Sequence, residues 1–343
     1  MTTELLTNRR SNIKAISKIL EETGHQRRQF LRHLNLRHFP DEHYPLINGV
    51  VSAGFAAEPF AGLDTEKQDE RESHRAVSGE GDAIAQQVLL TELSAAYPDA
   101  EFLLEEDTSP HAKCLPKQNP EGILQGRKIV GDPIDSSTRF GGDMSQWCTA
   151  AGMLQDGHVV GGAIFAPTMN GGLLVTSHKG KGVVVVEKGG QKVLTDTTPI
   201  LPREVKKSVV LLGVDTLQYP AICNFIPKVT TAVRGVYTSG SGILGLALVA
   251  AGRAQAIFQT PQRIWDIIPG ICALREAGRT VLFYRRDPQT GLPTEVGLDF
   301  QAFCYDRPNR LGIIAGDIML VGYLAQLLQE AGPLLKADES LKD

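Results

Sequence analysis

Asp132-Pro133-Ile134-Asp135-Ser136-Ser137-Thr138 sets two carboxylates three residues apart and follows them with three hydroxyl side chains. The apolar pair Ile129-Val130 and Gly131 come just before it. The stretch therefore reads as the C-terminal end of a buried strand opening into a tight turn. Carboxylates crowded at a strand end repel one another unless a cation lies between them. Hydroxyls and free backbone N–H groups in the turn can cradle a phosphate. The first reading is a metal-dependent phosphate site.

The rest of the chain bounds that reading. Its 343 residues make one large domain or two of ordinary size, and 42% apolar residues supply a substantial core. A formal net charge of −4 disfavours nucleic acid as a partner of the whole molecule. No apolar run reaches the ~18 residues of a membrane span, and Met1-Thr2-Thr3-Glu4 lacks the basic head of a secretory signal. A cytoplasmic protein is expected. Five widely spaced cysteines (114, 148, 223, 272 and 304) form no Cys-x-x-Cys pair and read as buried free thiols.

Apolar spacing predicts helices over 4–22 and 26–37. Residues 1–40 carry eight Lys/Arg against three Glu, a local balance of +5. A solvated helix face or a subunit contact accounts for this, and no interleaved aromatics favour nucleic acid. A loop is expected over 60–82, a helix from Ile84 to Ala96, a strand at 101–104 and a lid-like excursion over 107–126. From 127 to 187 the pattern is all strand, with Asp156-Gly157 joining Ala150–Leu154 to Val159–Phe165 as a hairpin. After 205 strands alternate with helices: strand 209–212, helix 243–251, strand 254–258, helix 266–277, strands 281–284 and 311–315, and a closing helix 318–329. The shift near 200 predicts a boundary, with units 1–200 and 201–343.

Four acidic clusters fall where catalysis would want them. Each has a plainer explanation: Asp82 and Asp266 as helix N-caps, Glu105-Glu106-Asp107 as a solvated turn, and Asp132 with Asp135 as a surface turn. Their joint occurrence favours a site.

Asp132-Pro133-Ile134-Asp135-Ser136-Ser137 resembles the Asp-Pro-(Ile/Leu)-Asp-Gly-(Thr/Ser) signature of the inositol monophosphatase and fructose-1,6-bisphosphatase superfamily, the lithium-sensitive, magnesium-dependent phosphatases. Trp265-Asp266 running into Glu276-Ala277-Gly278 is similar to its second signature. Phe102-Leu103-Leu104-Glu105-Glu106 is similar to its strand ending in Glu-Glu, and Gly81-Asp82 lies at a family-like spacing ahead of Glu105. Ser239-Gly240-Ser241-Gly242 with Val249-Ala250-Ala251-Gly252 resembles the helix that supplies substrate contacts. The resemblance spans roughly residues 75–335.

The resemblance implies a layered αβαβα sandwich of the sugar-phosphatase type, an α+β half followed by an α/β half. It implies Glu105, Asp132, the Ile134 carbonyl, Asp135 and Asp266 as ligands of two or three Mg²⁺ ions. Asp82, Ser137 and Glu105 would be catalytic, and Ser136, Ser137 and Thr138 would hold phosphate. Ser239, Gly240, Ser241 and Gln259 would meet substrate. The implied reaction is hydrolysis of a small phosphomonoester (sugar, polyol such as inositol, or nucleotide phosphate) by a homodimer or larger homo-oligomer. A 3′-phosphoadenosine or fructose-1,6-bisphosphate phosphatase is the nearest alternative, and a silent scaffold is the alternative of another class. Four departures stand out. Ser136 replaces the usual Gly, Ser137 replaces Thr, Gln259 replaces an acid that contacts inositol, and the bulky Ile267-Ile268-Pro269 follows Trp265-Asp266.

Overall fold

Apolar runs separated by glycine-containing turns pair into a seven-stranded sheet in this computed structural model. It describes residues 9–32, 34–35, 37–63, 79–106, 124–187, 190–194, 204–213, 220–298 and 311–334. The strands are β1 (Glu101–Leu104), β2 (Arg127–Asp135), β3 (Cys148–Gln155), β4 (His158–Ala166), β5 (Leu173–His178), β6 (Val183–Glu187) and β7 (Gly190–Leu194), in that spatial order. β1 and β2 run parallel and the remaining pairs antiparallel. Asp156 and Gly157 close the expected β3–β4 hairpin at φ of 48° and 76°, the positive values that a two-residue turn between twisted strands demands.

A second sheet holds β8 (Val209–Leu212), β9 (Gly235–Thr238), β10 (Ala256–Gln262), β11 (Thr280–Arg286), β12 (Pro293–Val296) and β13 (Leu311–Gly316), in the order β12-β11-β13-β10-β8-β9. The helices are α1 (Arg9–Leu31), α2 (Tyr44–Ala57), α3 (Glu80–Ala96), α4 (Ser137–Gly141), α5 (Pro220–Ala232), α6 (Gly242–Ala250), α7 (Ile268–Glu276) and α8 (Ile318–Ala331). Three apolar cores separate the layers. One lies between α1–α3 and the first sheet, one between the two sheets around α6 and α7, and one between the second sheet and α5 with α8. The αβαβα layering anticipated from the sequence is present.

The middle layer sets the position of the site. α7 lies against β3 and β4 because both strands present glycine there. A Cβ on Gly152 would stand 2.8 Å from Ile268 Cγ2, and one on Gly162 only 2.2 Å from the Pro269 carbonyl oxygen. Ile267 and Ile268 are fully buried. Their bulk fills core, each side chain contributing about 1.5–3 kcal/mol of apolar burial. Pro269 sits in the first turn of α7, where its missing N–H costs nothing.

Several elements differ from the sequence expectations. One helix, α1, replaces the two expected over 4–22 and 26–37. Gly24 and Thr23 are buried within it, and the Thr23 hydroxyl donates to the Ile19 carbonyl at 2.8 Å. The helix expected over 266–277 is divided: a 3-10 turn, Ile264–Asp266, comes first and α7 starts at Ile268. Cys148 and Cys272 are buried, but Cys223 on α5 is exposed. Cys114 and Cys304, most of the 60–82 loop and most of the 107–126 excursion lie outside the described residues. No helix among the described residues is long and apolar enough to cross a membrane.

The close approach of α7 carries a test. Gly162→Ala forces α7 away from β4 and is expected to lower stability by about 1–3 kcal/mol, read from the denaturant midpoint. Gly322→Ala, in open space on α8, is expected to raise stability by up to ~1 kcal/mol.

Candidate active site

The two aspartates of the opening stretch meet because β2 is irregular. Asp132 pairs with Ala150 and Asp135 with Cys148, so three steps of β2 oppose two of β3. In an unbroken strand, residues three apart face opposite sides. The extra residue, at Pro133-Ile134, removes that separation and turns both carboxylates to one side. Proline suits such a position because the ladder there needs no N–H. Asp132 locks the bulge by accepting from the Ile134 N–H at 2.9 Å.

The chain then turns sharply at Ser136, at φ 78° and ψ 57°. This is the left-handed region that glycine normally fills, and a serine there costs on the order of 1 kcal/mol. Phe140, four residues on, anchors the turn. It is buried edge-on against Trp147, with ring centroids 4.9 Å apart. Its ring also touches Gly81, where a Cβ would lie 2.4 Å away. That contact docks the start of α3 on α4 and brings in Asp82. Asp82 is buried at the third position of α3, where it accepts from the Gly79 N–H at 3.0 Å. The Ser137 hydroxyl stands 3.4 Å from both Asp82 Oδ1 and the Ile134 carbonyl. Ser137 is half-buried and Thr138 exposed.

Glu105 follows β1, and its N–H donates to the Gly131 carbonyl at 3.2 Å, beside Asp132. Its carboxylate accepts from Arg263 Nη1 at 3.2 Å. Asp266 arrives on the 3-10 turn that leads into α7 and accepts from the Arg263 N–H at 3.0 Å. Trp265 beside it is buried, as a core residue should be, with the Arg263 guanidinium over its ring. Arg263 was not singled out in the sequence. Its only signal there is a basic side chain three positions ahead of Asp266.

Asp135 reaches across to α6. Its Oδ2 accepts from the Ser241 hydroxyl and from the Ile243 N–H, both at 2.6 Å. The Ser241 oxygen also caps α6, accepting from the Leu244 N–H at 2.9 Å. Ser241 is fully buried. Ser239 is also buried and donates to the Ser241 carbonyl at 2.6 Å. Gln259 is fully buried, and its amide donates to the Gly242 carbonyl at 2.6 Å. Expected to meet substrate, Ser239, Ser241 and Gln259 here brace the start of α6. Gly240, at φ 79°, forms the tip of that loop.

The electrostatics follow from the crowding. Burial first, then Glu105, Asp135 and Asp266, push the Asp132 carboxyl well above the usual range, and hydrogen bonding with Glu105 acts in the same direction. Burial, then Glu105 and Asp135, raise Asp266 likewise, with Arg263 partly opposing them. Hard oxygen donors in this number suit a divalent cation such as Mg²⁺. The raised carboxyls mark where positive charge is lacking. Among the described residues, no three acidic, imidazole or thiol side chains are arranged to grip an ion as they stand. Glu105 is turned to Arg263 and Asp135 to α6.

Comparison with known proteins fits this geometry. Residues 47–303 match the sequence model of the inositol monophosphatase family. The chain is 28% identical to the Nus factor SuhB of Xylella fastidiosa over 262 residues, 73% of this chain and 81% of that one. It is 29% identical to an inositol-1-monophosphatase of Mesorhizobium japonicum over 206 residues, 58% of this chain and 69% of that one. The crystal structure of extragenic suppressor protein suhB from Bartonella henselae superposes with a TM-score of 0.65 at 22% identity, covering 85% of this chain and 99% of that one.

The raised carboxyls predict a pH signature. A folded-state value above the unfolded one means that the folded protein holds protons the unfolded chain has already lost. Stability is therefore lost as pH rises above about 4, the unfolded aspartate value. In EDTA, Asp266→Asn is expected to stabilise the protein, with no gain at pH 4 and a growing gain toward pH 8. A rise in Tm of at least ~1.5 °C at pH 8 is expected, about the shift that ~1 kcal/mol produces in a chain of this size.

Proposed function

The chain belongs to the inositol monophosphatase family, a family of phosphatases, and we propose that it hydrolyses a small phosphomonoester with Mg²⁺ held by Glu105, Asp132, the Ile134 carbonyl, Asp135 and Asp266. The observation that carries this reading is the crowding of half-buried acidic side chains from the end of β1, from β2 and from the turn before α7 around the buried Asp132. Such a cluster is costly without a cation and of little use to a purely structural protein. Bound there, Mg²⁺ supplies Lewis-acid polarisation of the phosphate and lowers the pKa of a ligated water.

The chain's own residues do the rest. Ser137, with Asp82 behind it, orients the attacking water and passes its proton toward Asp82. Glu105 accepts hydrogen bonds from the same water. The backbone N–H groups and hydroxyls of Ser136, Ser137 and Thr138 hold the phosphate oxygens. Asp135 ties this machinery to α6 through Ser241, so the loop around Gly240 keeps a fixed distance from the phosphate turn. The buried Gln259 supplies no charge to a polyol, which supports a substrate other than an inositol phosphate.

A second reading is a binding role without turnover, for which the name of the Xylella fastidiosa relative is the specific observation. One assay separates the two. Purified protein with Mg²⁺ is expected to release phosphate from some member of a broad phosphoester panel, and Li⁺ should inhibit. Ser137→Ala and Asp135→Asn should each lower kcat by ~10² or more. No phosphate release from any substrate, or equal rates for wild type and Asp135→Asn, contradicts the phosphatase reading and favours the binding one.

A further inference from the structure

The geometry points to a second anion site at Arg139, and hence to a substrate that carries another anionic group besides the phosphate it loses. This rests on the phosphatase reading and narrows it. Arg139 lies in α4, two positions past Ser137. Its guanidinium passes over Gly240 so closely that a Cβ there would sit 1.5 Å from Nε and 2.3 Å from Cζ. Only glycine fits at 240, both for this contact and for its φ of 79°. On the other side Arg139 Nη1 donates to Gln146 Oε1, in the segment leading into β3. The head group is thus held between the phosphate turn and the α6 loop.

Its charge is unanswered. Among the described residues no carboxylate lies within ion-pair distance of Arg139, and no other hydrogen bond reaches its guanidinium. Arg27, Arg127, Arg253 and Arg263 each face an acid. A guanidinium held in place without a counter-charge is pre-organised for an arriving anion. The planar fork suits a phosphate or a carboxylate, either of which it can bind through two N–H groups. Arg139 makes no contact with Asp132, Glu105 or Asp266. It stands instead on the Gly240 side, where the part of the substrate beyond the scissile phosphate would lie.

The test compares matched pairs: fructose 1,6-bisphosphate with fructose 1-phosphate, adenosine 3′,5′-bisphosphate with adenosine 3′-monophosphate, and 2-phosphoglycerate with glycerol 2-phosphate. The first two pairs probe a second phosphate and the third a carboxylate. In wild type, kcat/KM is expected to favour the doubly anionic member of at least one pair, mainly through KM. Arg139→Gln should reduce that preference by ~30-fold, and Arg139→Lys by less, with melting temperatures unchanged. An unchanged ratio, or equal loss on both members, overturns the inference. If wild type hydrolyses none of the six, no turnover ratio exists, and the broad phosphoester panel alone judges the phosphatase reading. Calorimetric binding of the same compounds in Ca²⁺ then decides: a preference for the doubly anionic member that Arg139→Gln removes upholds the site, and no preference overturns it.

Discussion

Asp132 is buried and Glu105, Asp135 and Asp266 crowd around it half-buried, and their repulsion has to be met by something positive. The protein meets it by local means. Crowding and burial raise the Asp132 and Asp266 carboxyls above the range of exposed aspartates. Arg263 leans on Glu105, and the start of α6 donates an N–H and a hydroxyl to Asp135. Each of these partners substitutes for part of what a divalent cation would provide, so the arrangement is one that a metal would reorganise.

Holding four acids at that distance needs a stiff frame, because every one of them would relax away if it could. The frame is made of close backbone contacts. Gly152 and Gly162 let α7 lie against the first sheet, Gly131 lets β2 approach β3, and Gly81 lets α3 meet the ring of Phe140. Elements from both sheets thereby share one apolar core around α6 and α7. The position of Asp266 relative to Asp132 follows from that core, which holds the 3-10 turn and α7 against the first sheet.

The parts of this arrangement that lie in short local patterns were readable beforehand. The Asp132–Thr138 stretch, the strand ending at Glu105, Asp82 ahead of its helix and Asp266 after Trp265 each declare themselves in a few residues. The chain brings them together, with Asp82 on Ser137 and Glu105 beside Asp132. What depends on distant packing was not readable. Ser241 and Gln259 look like substrate contacts in sequence, and nothing there shows that they also brace α6, which meets Asp135 and β10. Arg139 and Arg263 gain meaning only from what lies opposite them, Gly240 and Glu105. α2 escaped notice because it is apolar almost all round, so no helical stripe marks it.

The most direct test of the central claim is a count of bound cations. Metal-stripped protein titrated with Mn²⁺, with free Mn²⁺ followed by its electron paramagnetic resonance signal, should bind about two ions per chain. Mg²⁺ should compete, and Asp266→Asn should lose at least one site. Absence of saturable binding up to ~10 mM Mn²⁺ would contradict it, because the crowded carboxylates would then be balanced by protons, Arg263 and the start of α6 alone.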